Sequence, residues 1–283
     1  MRVNLKRTSV RHAMAAPGQT ARDIATFPAV TVRLAIAVAV VALATTAGCG
    51  DDSPESNGIE SKPAAQILAD TAAALRQVKS FHVEATQRNG SKLSKVSADL
   101  QLPSKLRLAI QEPPSAASII AVNGAVYIKA NEAYWKDQQG GRAARELAGK
   151  WLKSPASTTE LRDLTKGLDP ETLSHCLATD HGTLAKGGTE TVDGKKTVVL
   201  IDKGDRPGTT PGKLFVAATG DPLPLRTIAT GNERPGGTRD PRCDEDNRRA
   251  RAGDEARFDR YDESLDIKAP AGAVEVGATG TAS

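Results

Sequence analysis

Between Phe81 and Ile110 the chain carries three runs in which apolar and polar residues alternate with a period of two. Phe81, Val83 and Ala85 alternate with His82, Glu84 and Thr86. Val96, Ala98, Leu100 and Leu102 alternate with Ser97, Asp99 and Gln101, and Leu106, Leu108 and Ile110 with Lys105, Arg107 and Ala109. Successive side chains of an extended strand point to opposite faces, whereas a helix repeats its apolar residues every three or four. The pattern therefore specifies strands with one apolar and one wet face. Asn89-Gly90 supplies a hairpin turn, because both residues tolerate positive φ. The product is an antiparallel meander that must find cover for its apolar face.

A second feature decides where the chain works. Leu34–Leu43 is apolar, follows Arg33, and runs through small residues to Cys49. A transmembrane helix needs about 20 apolar residues, and this run is shorter, with the length of an export signal. Thr46-Ala47-Gly48-Cys49 resembles the bacterial lipobox, with Thr46 standing where a branched aliphatic residue is usual. The expectation is a signal peptide over 1–48, starting at Met1 or Met14, with lipidation at Cys49; the alternative is an uncleaved anchor with an incidental cysteine. The expected localisation is the extracytoplasmic face of the cell membrane, lipid-anchored.

Charge must be read after that cut. The net +4 includes Arg2, Lys6, Arg7, Arg11, Arg22 and Arg33, opposed only by Asp23. Without them the remainder carries about −1, which removes the main support for a nucleic-acid partner. Residues 49–60 are mostly polar and without periodicity, a flexible tether. Residues 61–276 form one domain, and 277–283 a disordered tail.

Within the domain, a helix is expected over Lys62–Lys79, capped by Ser61, with Ile67, Leu68, Ala72, Leu75 and Val78 on one stripe. After the meander, Pro113-Pro114 breaks the sheet pattern. Strands follow at Ser118–Val122 and Ala125–Ala130, joined at Asn123-Gly124. Helical pieces are expected at Arg142–Leu152, Leu161–Leu168 and Asp169–Leu177, the last with Pro170 at its first position. Strands at Thr183–Thr191, Lys196–Asp202, Lys213–Thr219, Leu223–Thr230 and Arg257–Leu265 close the domain, with a polar segment over Gly231–Glu255. Strands in hairpins with helices collected on one face make an α+β fold.

Chemistry-bearing motifs are scarce. The sequence has no G-x-S-x-G elbow and no Ser-x-x-Lys pair. His82, His175 and His181 stand outside any H-E-x-x-H, and His175 with Cys176 is a poor chelate because neighbours on a helix diverge by about 100°. The glycine pairs at Gly140, Gly187 and Gly236 lack the Lys-Ser/Thr of a phosphate cradle. No enzyme activity, metal or cofactor is expected. Cys176 and Cys243 remain after export, and an even pair in an oxidising compartment points to a disulfide, the alternative being two separate thiols.

Several phrases, in this order, resemble a known family: Val78-Lys79-Ser80-Phe81-His82-Val83, Val122–Ala130 with Tyr134-Trp135 after it, Val192-Asp193-Gly194, and Leu214–Gly220 leading into Pro222-Leu223-Pro224-Leu225-Arg226. Together they resemble the actinobacterial envelope lipoproteins of the LppX/LprG type, related in fold to the LolA and LolB carriers. The resemblance implies an antiparallel half-barrel with helices packed on its concave face, a cavity for lipid or lipoglycan acyl chains, carriage across the envelope, and an envelope transporter as partner to a monomer. Alternation nominates Val83, Val96, Ala98, Leu100, Leu106, Leu108, Ile110, Val126, Ile128, Val198, Leu200, Val216 and Leu225 as lining. The same face could instead be a filled core, in a scaffold or sensor lipoprotein acting through surface loops.

Overall fold

A computed structural model describes residues 55–89, 92–157, 165, 168–237, 240, 242–243 and 250–275. The signal segment, Cys49, Gly90 of the first turn, most of Leu161–Leu168 and the tail lie outside the described residues.

Among the described residues, an open sheet of 12 strands organises the chain. In chain order the strands are β1 Ser80–Asn89, β2 Lys92–Gln101, β3 Lys105–Glu112, β4 Ser115–Val122, β5 Ala125–Ala130, β6 Leu152–Pro155, β7 Leu184–Val192, β8 Lys195–Asp202, β9 Gly212–Ala217, β10 Pro224–Ala229, β11 Glu255–Asp259 and β12 Val274–Glu275. Across the sheet they run β12-β6-β5-β4-β3-β2-β1-β11-β10-β9-β8-β7. Every pair is antiparallel except β12 with β6. The expected α+β half-barrel class is the observed one. Two antiparallel meanders, β1 to β5 and β7 to β10, are thus stitched together through β11.

Helices cover one face. Helix α1, Ala64–Leu75, is shorter than the expected Lys62–Lys79. Pro63 rather than Ser61 precedes it, because Ile59–Ser61 forms a separate 3₁₀ turn. Its 12 residues span about 18 Å, and it lies across the strands. Ile67 and Leu68 pack on Val198, Leu200, Leu214 and Val216 of β8 and β9, while Leu75 and Val78 pack on Phe81, Val83, Ala98, Leu100, Leu106 and Ala121 of β1 to β4. Helix α2, Glu132–Gln139, and helix α3, Gly141–Leu147, bring Trp135 and Ala144 onto Ala117, Ala130 and Leu152. Asn131 caps α2 by accepting from Tyr134 N–H. Helix α4, Pro170–Thr179, is capped by Asp169 and packs on α1, where Ser174 Oγ donates to the Ala72 carbonyl at 2.6 Å.

Four local expectations change. The helix expected over Arg142–Leu152 stops at Leu147, and Leu152 begins β6, because β5 offers a free edge that the apolar Leu152 can join. Pro113-Pro114 turns β3 into β4 instead of ending the sheet. The strand expected over Arg257–Leu265 ends at Asp259; beyond it the chain straps the outer face, with Leu265 and Ile267 on Ile120 and Tyr127, before pairing at β12. Residues 56–60, expected to be tether, are fixed to the domain: Asn57 Nδ2 donates to the Ala217 and Gly220 carbonyls, both at 2.9 Å, and Ile59 is 1% exposed.

The strap is fastened by a buried carboxylate. His82, Asp99 and Arg107 are cross-strand neighbours on β1, β2 and β3. Asp99 accepts from Arg107 Nη1 at 3.1 Å and Arg260 Nη2 at 2.6 Å, and pairs with His82 Nδ1 at 2.7 Å. Arg107 also donates to the Asp266 carbonyl.

Candidate functional site

The alternation that built the sheet also decides what faces the helices. One transverse row, read strand to strand by register, is Leu200, Leu214, Thr227, Ala256, Ala85, Val96, Ile110, Ala117 and Ala130. The next row toward the other end includes Phe258, Val83, Ala98, Leu108, Ile119, Ile128 and Leu152. Where the first row turns small, at Thr227, Ala256 and Ala85, the helices cannot reach the sheet.

A pocket of about 350 Å³ opens there, with Leu68, Leu177, Leu184, Leu200 and Leu214 as walls and Ala85, Ala229 and Ala256 toward its floor. Gly212 belongs to the same floor: a Cβ there would stand 2.8 Å from the Ile228 carbonyl, so glycine permits the close approach of β10. This size falls in the range of small-molecule sites, about 300–1,000 Å³. Polar groups gather at one end, namely Asp180, His181, Asp202 and Asp254. Asp202 accepts from Gly182 and Gly204 N–H at 2.9 and 2.8 Å, and Asp254 from Arg88 N–H at 2.8 Å. Glu255, at the rim, is held below the usual carboxylate range chiefly by its hydrogen bond to Arg226.

From Ala85 the row continues beyond the pocket. Val96, Leu108, Ile110, Ile119, Val126 and Ile128 share the helix-covered face and are half-buried. They lie between the residues under α1 and those under α2 and α3, where Trp135 and Tyr134 meet edge to face at 5.3 Å.

The thirteen nominated lining residues therefore separate into groups. Leu200 lines the pocket. Val83, Ala98, Leu100, Leu106, Val198 and Val216 are packed beneath α1. Val96, Leu108, Ile110, Val126 and Ile128 form the half-buried stripe. Leu225 is a correction: it packs with Val192, Val199, Phe215 and Ala217 on the opposite face. A register shift between Pro224 and Arg226 moves it there, since one residue of slip reverses the side. Alternation alone could not find Leu68, Leu177 and Leu184, which arrive from helices and an edge strand. Ala85 and Ala256 could have been found by their small size in an otherwise bulky pattern.

Cys176 of α4 is disulfide-bonded to Cys243. Beside the bond, His175 Nε2 and Asp240 Oδ2 pair at 2.7 Å. The Asp240 carboxyl is held far below its ordinary range, first by Arg242 and then by His175. His175, Asp240 and Cys243 place donor atoms within 4.8 Å of one another. With the sulfur held in a disulfide the group offers no thiolate, so it is a poor metal chelate.

No protein-family model and no curated protein matches the sequence. Among solved structures, the chain is similar to LprF from Mycobacterium bovis, with TM-score 0.48, 16% identity, and coverage of 77% of this chain and 100% of that one. It is also similar to the Mycobacterium tuberculosis lipoprotein LppX, with TM-score 0.44, 12% identity, and coverage of 72% and 98%. The Pseudomonas aeruginosa MucA/MucB complex gives TM-score 0.36, 16% identity, and coverage of 74% and 61%. No helix among the described residues is long and apolar enough to cross a membrane.

Proposed function

We propose that this protein is an envelope lipoprotein, anchored through Cys49, that binds the acyl part of a lipid or lipoglycan and carries it across the cell envelope without catalysis. The observation that carries this reading is the leucine-walled, alanine-floored pocket continuing into a half-buried apolar row on the same face. Each methylene taken from water contributes about 0.8 kcal/mol, so ten give about 8 kcal/mol. Fixing the ligand offsets part of that gain, which leaves reversible binding of the kind a carrier needs. The polar end, with Asp202 and His181, suits a headgroup that stays wet while its chain is buried.

Titration of the purified domain with a fluorescent fatty-acyl probe tests the reading. Saturable binding, displaced by an unlabelled acyl lipid, is expected. A probe that never saturates, or that no acyl lipid displaces, contradicts it and leaves the filled-core scaffold standing.

A further inference from the structure

Trp135 of α2 is 5% exposed, and among the described residues its indole Nε1–H meets no hydrogen-bond acceptor. A buried indole usually finds a partner for its N–H, because taking that donor out of water without one is unfavourable. The ring lies in a cluster with Ala117, Ala130, Ala144 and Leu152, against which Ile128, Leu147 and Tyr134 also pack. Aliphatic side chains cannot accept. The neighbouring cap residue is already committed: Asn131 Oδ1 accepts from Ala116 and Tyr134 N–H, and its Nδ2 donates to the Pro114 carbonyl. A phenylalanine would fill an apolar site without this penalty, so packing alone does not account for an indole here.

Its place in the fold gives the donor a use. Ala117 and Ala130 end the transverse row that passes from Ala85 at the pocket through Val96 and Ile110, and Ile128 belongs to the half-buried stripe. Four strand-to-strand steps separate Ala85 from Ala130, which is about 19 Å along the row. Asp202, at the polar end of the pocket, stands on β8, on the other side of β1 from Trp135. A ligand with its headgroup at Asp202 and its chain along the row therefore meets Trp135 only with the distal part of that chain.

We infer that Trp135 Nε1 donates to an oxygen carried on the acyl chain itself, far from the headgroup, so that the ligand is a keto-, hydroxy- or ester-bearing acyl lipid and not a plain hydrocarbon chain. The inference rests on the proposed acyl site. A plain chain covers the indole N–H and leaves it unsatisfied. A chain oxygen satisfies it, and the same bond offsets the desolvation of that oxygen.

The test uses the full-length chain produced without acylation, titrated with stearate and with ketostearates whose carbonyl lies near, midway along or far from the carboxylate. The wild type should bind a ketostearate with a distal carbonyl about fivefold to tenfold more tightly than stearate. A carbonyl near the carboxylate should give no gain. Trp135→Phe should erase the gain and leave the affinity for stearate unchanged. A second measurement does not depend on that variant. Trp135 and Trp151 are the two tryptophans of the chain, and Trp151 packs on the opposite face with Ile120 and Tyr127. In Trp151→Phe, stearate brominated at its distal end should quench the remaining indole; in Trp135→Phe it should not. Equal wild-type affinity for stearate and every ketostearate, a gain that survives in Trp135→Phe, or an unquenched Trp135 each overturns the inference. Saturable binding of stearate alongside any of these leaves the acyl site standing, whereas no saturable binding of any chain removes both.

Discussion

Ala85 of β1 and Val96 of β2 are cross-strand partners on the helix-covered face; Ala85 lines the pocket and Val96 begins the half-buried row. Through this pair the enclosed space and the open apolar stripe become one surface. A methyl group at position 85 keeps the junction open, and a larger side chain there would close it.

Ala85→Phe is therefore expected to weaken acyl-probe binding by about tenfold or more, the worth of roughly two methylenes excluded. The ring enters existing space, so stability should change by less than about 1 kcal/mol. Ala121→Leu is the counterpart. Ala121 is fully buried under α1 among Leu75, Leu100 and Leu106, where added bulk costs about 1–3 kcal/mol. Its probe affinity should stay unchanged. Urea unfolding beside probe titration distinguishes the two, and the opposite pattern would mean that the pocket and the packed core have been assigned the wrong way round.

The Asp99 node should hold the C-terminal strap to the outer face. Asp99→Ala removes the shared acceptor of Arg107, Arg260 and His82. The arginine side chains are 45% and 41% exposed, so water recovers part of the loss and the expected cost is about 1–3 kcal/mol. Hydrogen exchange should show faster exchange at Leu265–Ile267 than in the wild type. Unchanged protection there would remove the node's role as a fastener.

Replacing both Cys176 and Cys243 by serine should lower stability by about 2–4 kcal/mol, because the bond closes a loop with a sequence separation of 67 residues. The effect should concentrate on α4 and residue 240, not on the strands. A thiol titration of the native protein should find neither cysteine free.

Acid sensitivity follows from carboxylates held low in the fold. Glu255 is lowered first by Arg226, and Asp240 first by Arg242. A carboxylate with a depressed folded pKa contributes stability that is present above its unfolded value and lost as pH falls through the folded one. Stability should thus be flat in these groups from neutral pH down to about 5, and decline below about 4. Glu255→Gln should flatten that acid decline when unfolding midpoints are measured against pH.

Much of the architecture was legible because period-two alternation is a local property. The meander, the disulfide and the Asp169 cap each follow from residues near one another in sequence or from a count of cysteines. The site was less legible. Val83 and Leu106 share the parity of Leu108, yet the former lie under α1 and the latter is half-buried; only the path of the helix separates them. Leu225 was misplaced by a bulge at its own strand's start, which no alternation pattern reveals. Trp135 was hidden in a segment of mean polarity, although the Asn131 cap marks its helix.

Lipid extraction of the protein purified from its own envelope without detergent shows whether the pocket and its row hold an acyl chain. Mass spectrometry of the extract should find acyl lipid in a fixed ratio to wild-type protein and little with Ala85→Phe. Wild-type protein that carries no acyl lipid and takes none up from added lipid would mean that the pocket is not an acyl-chain site.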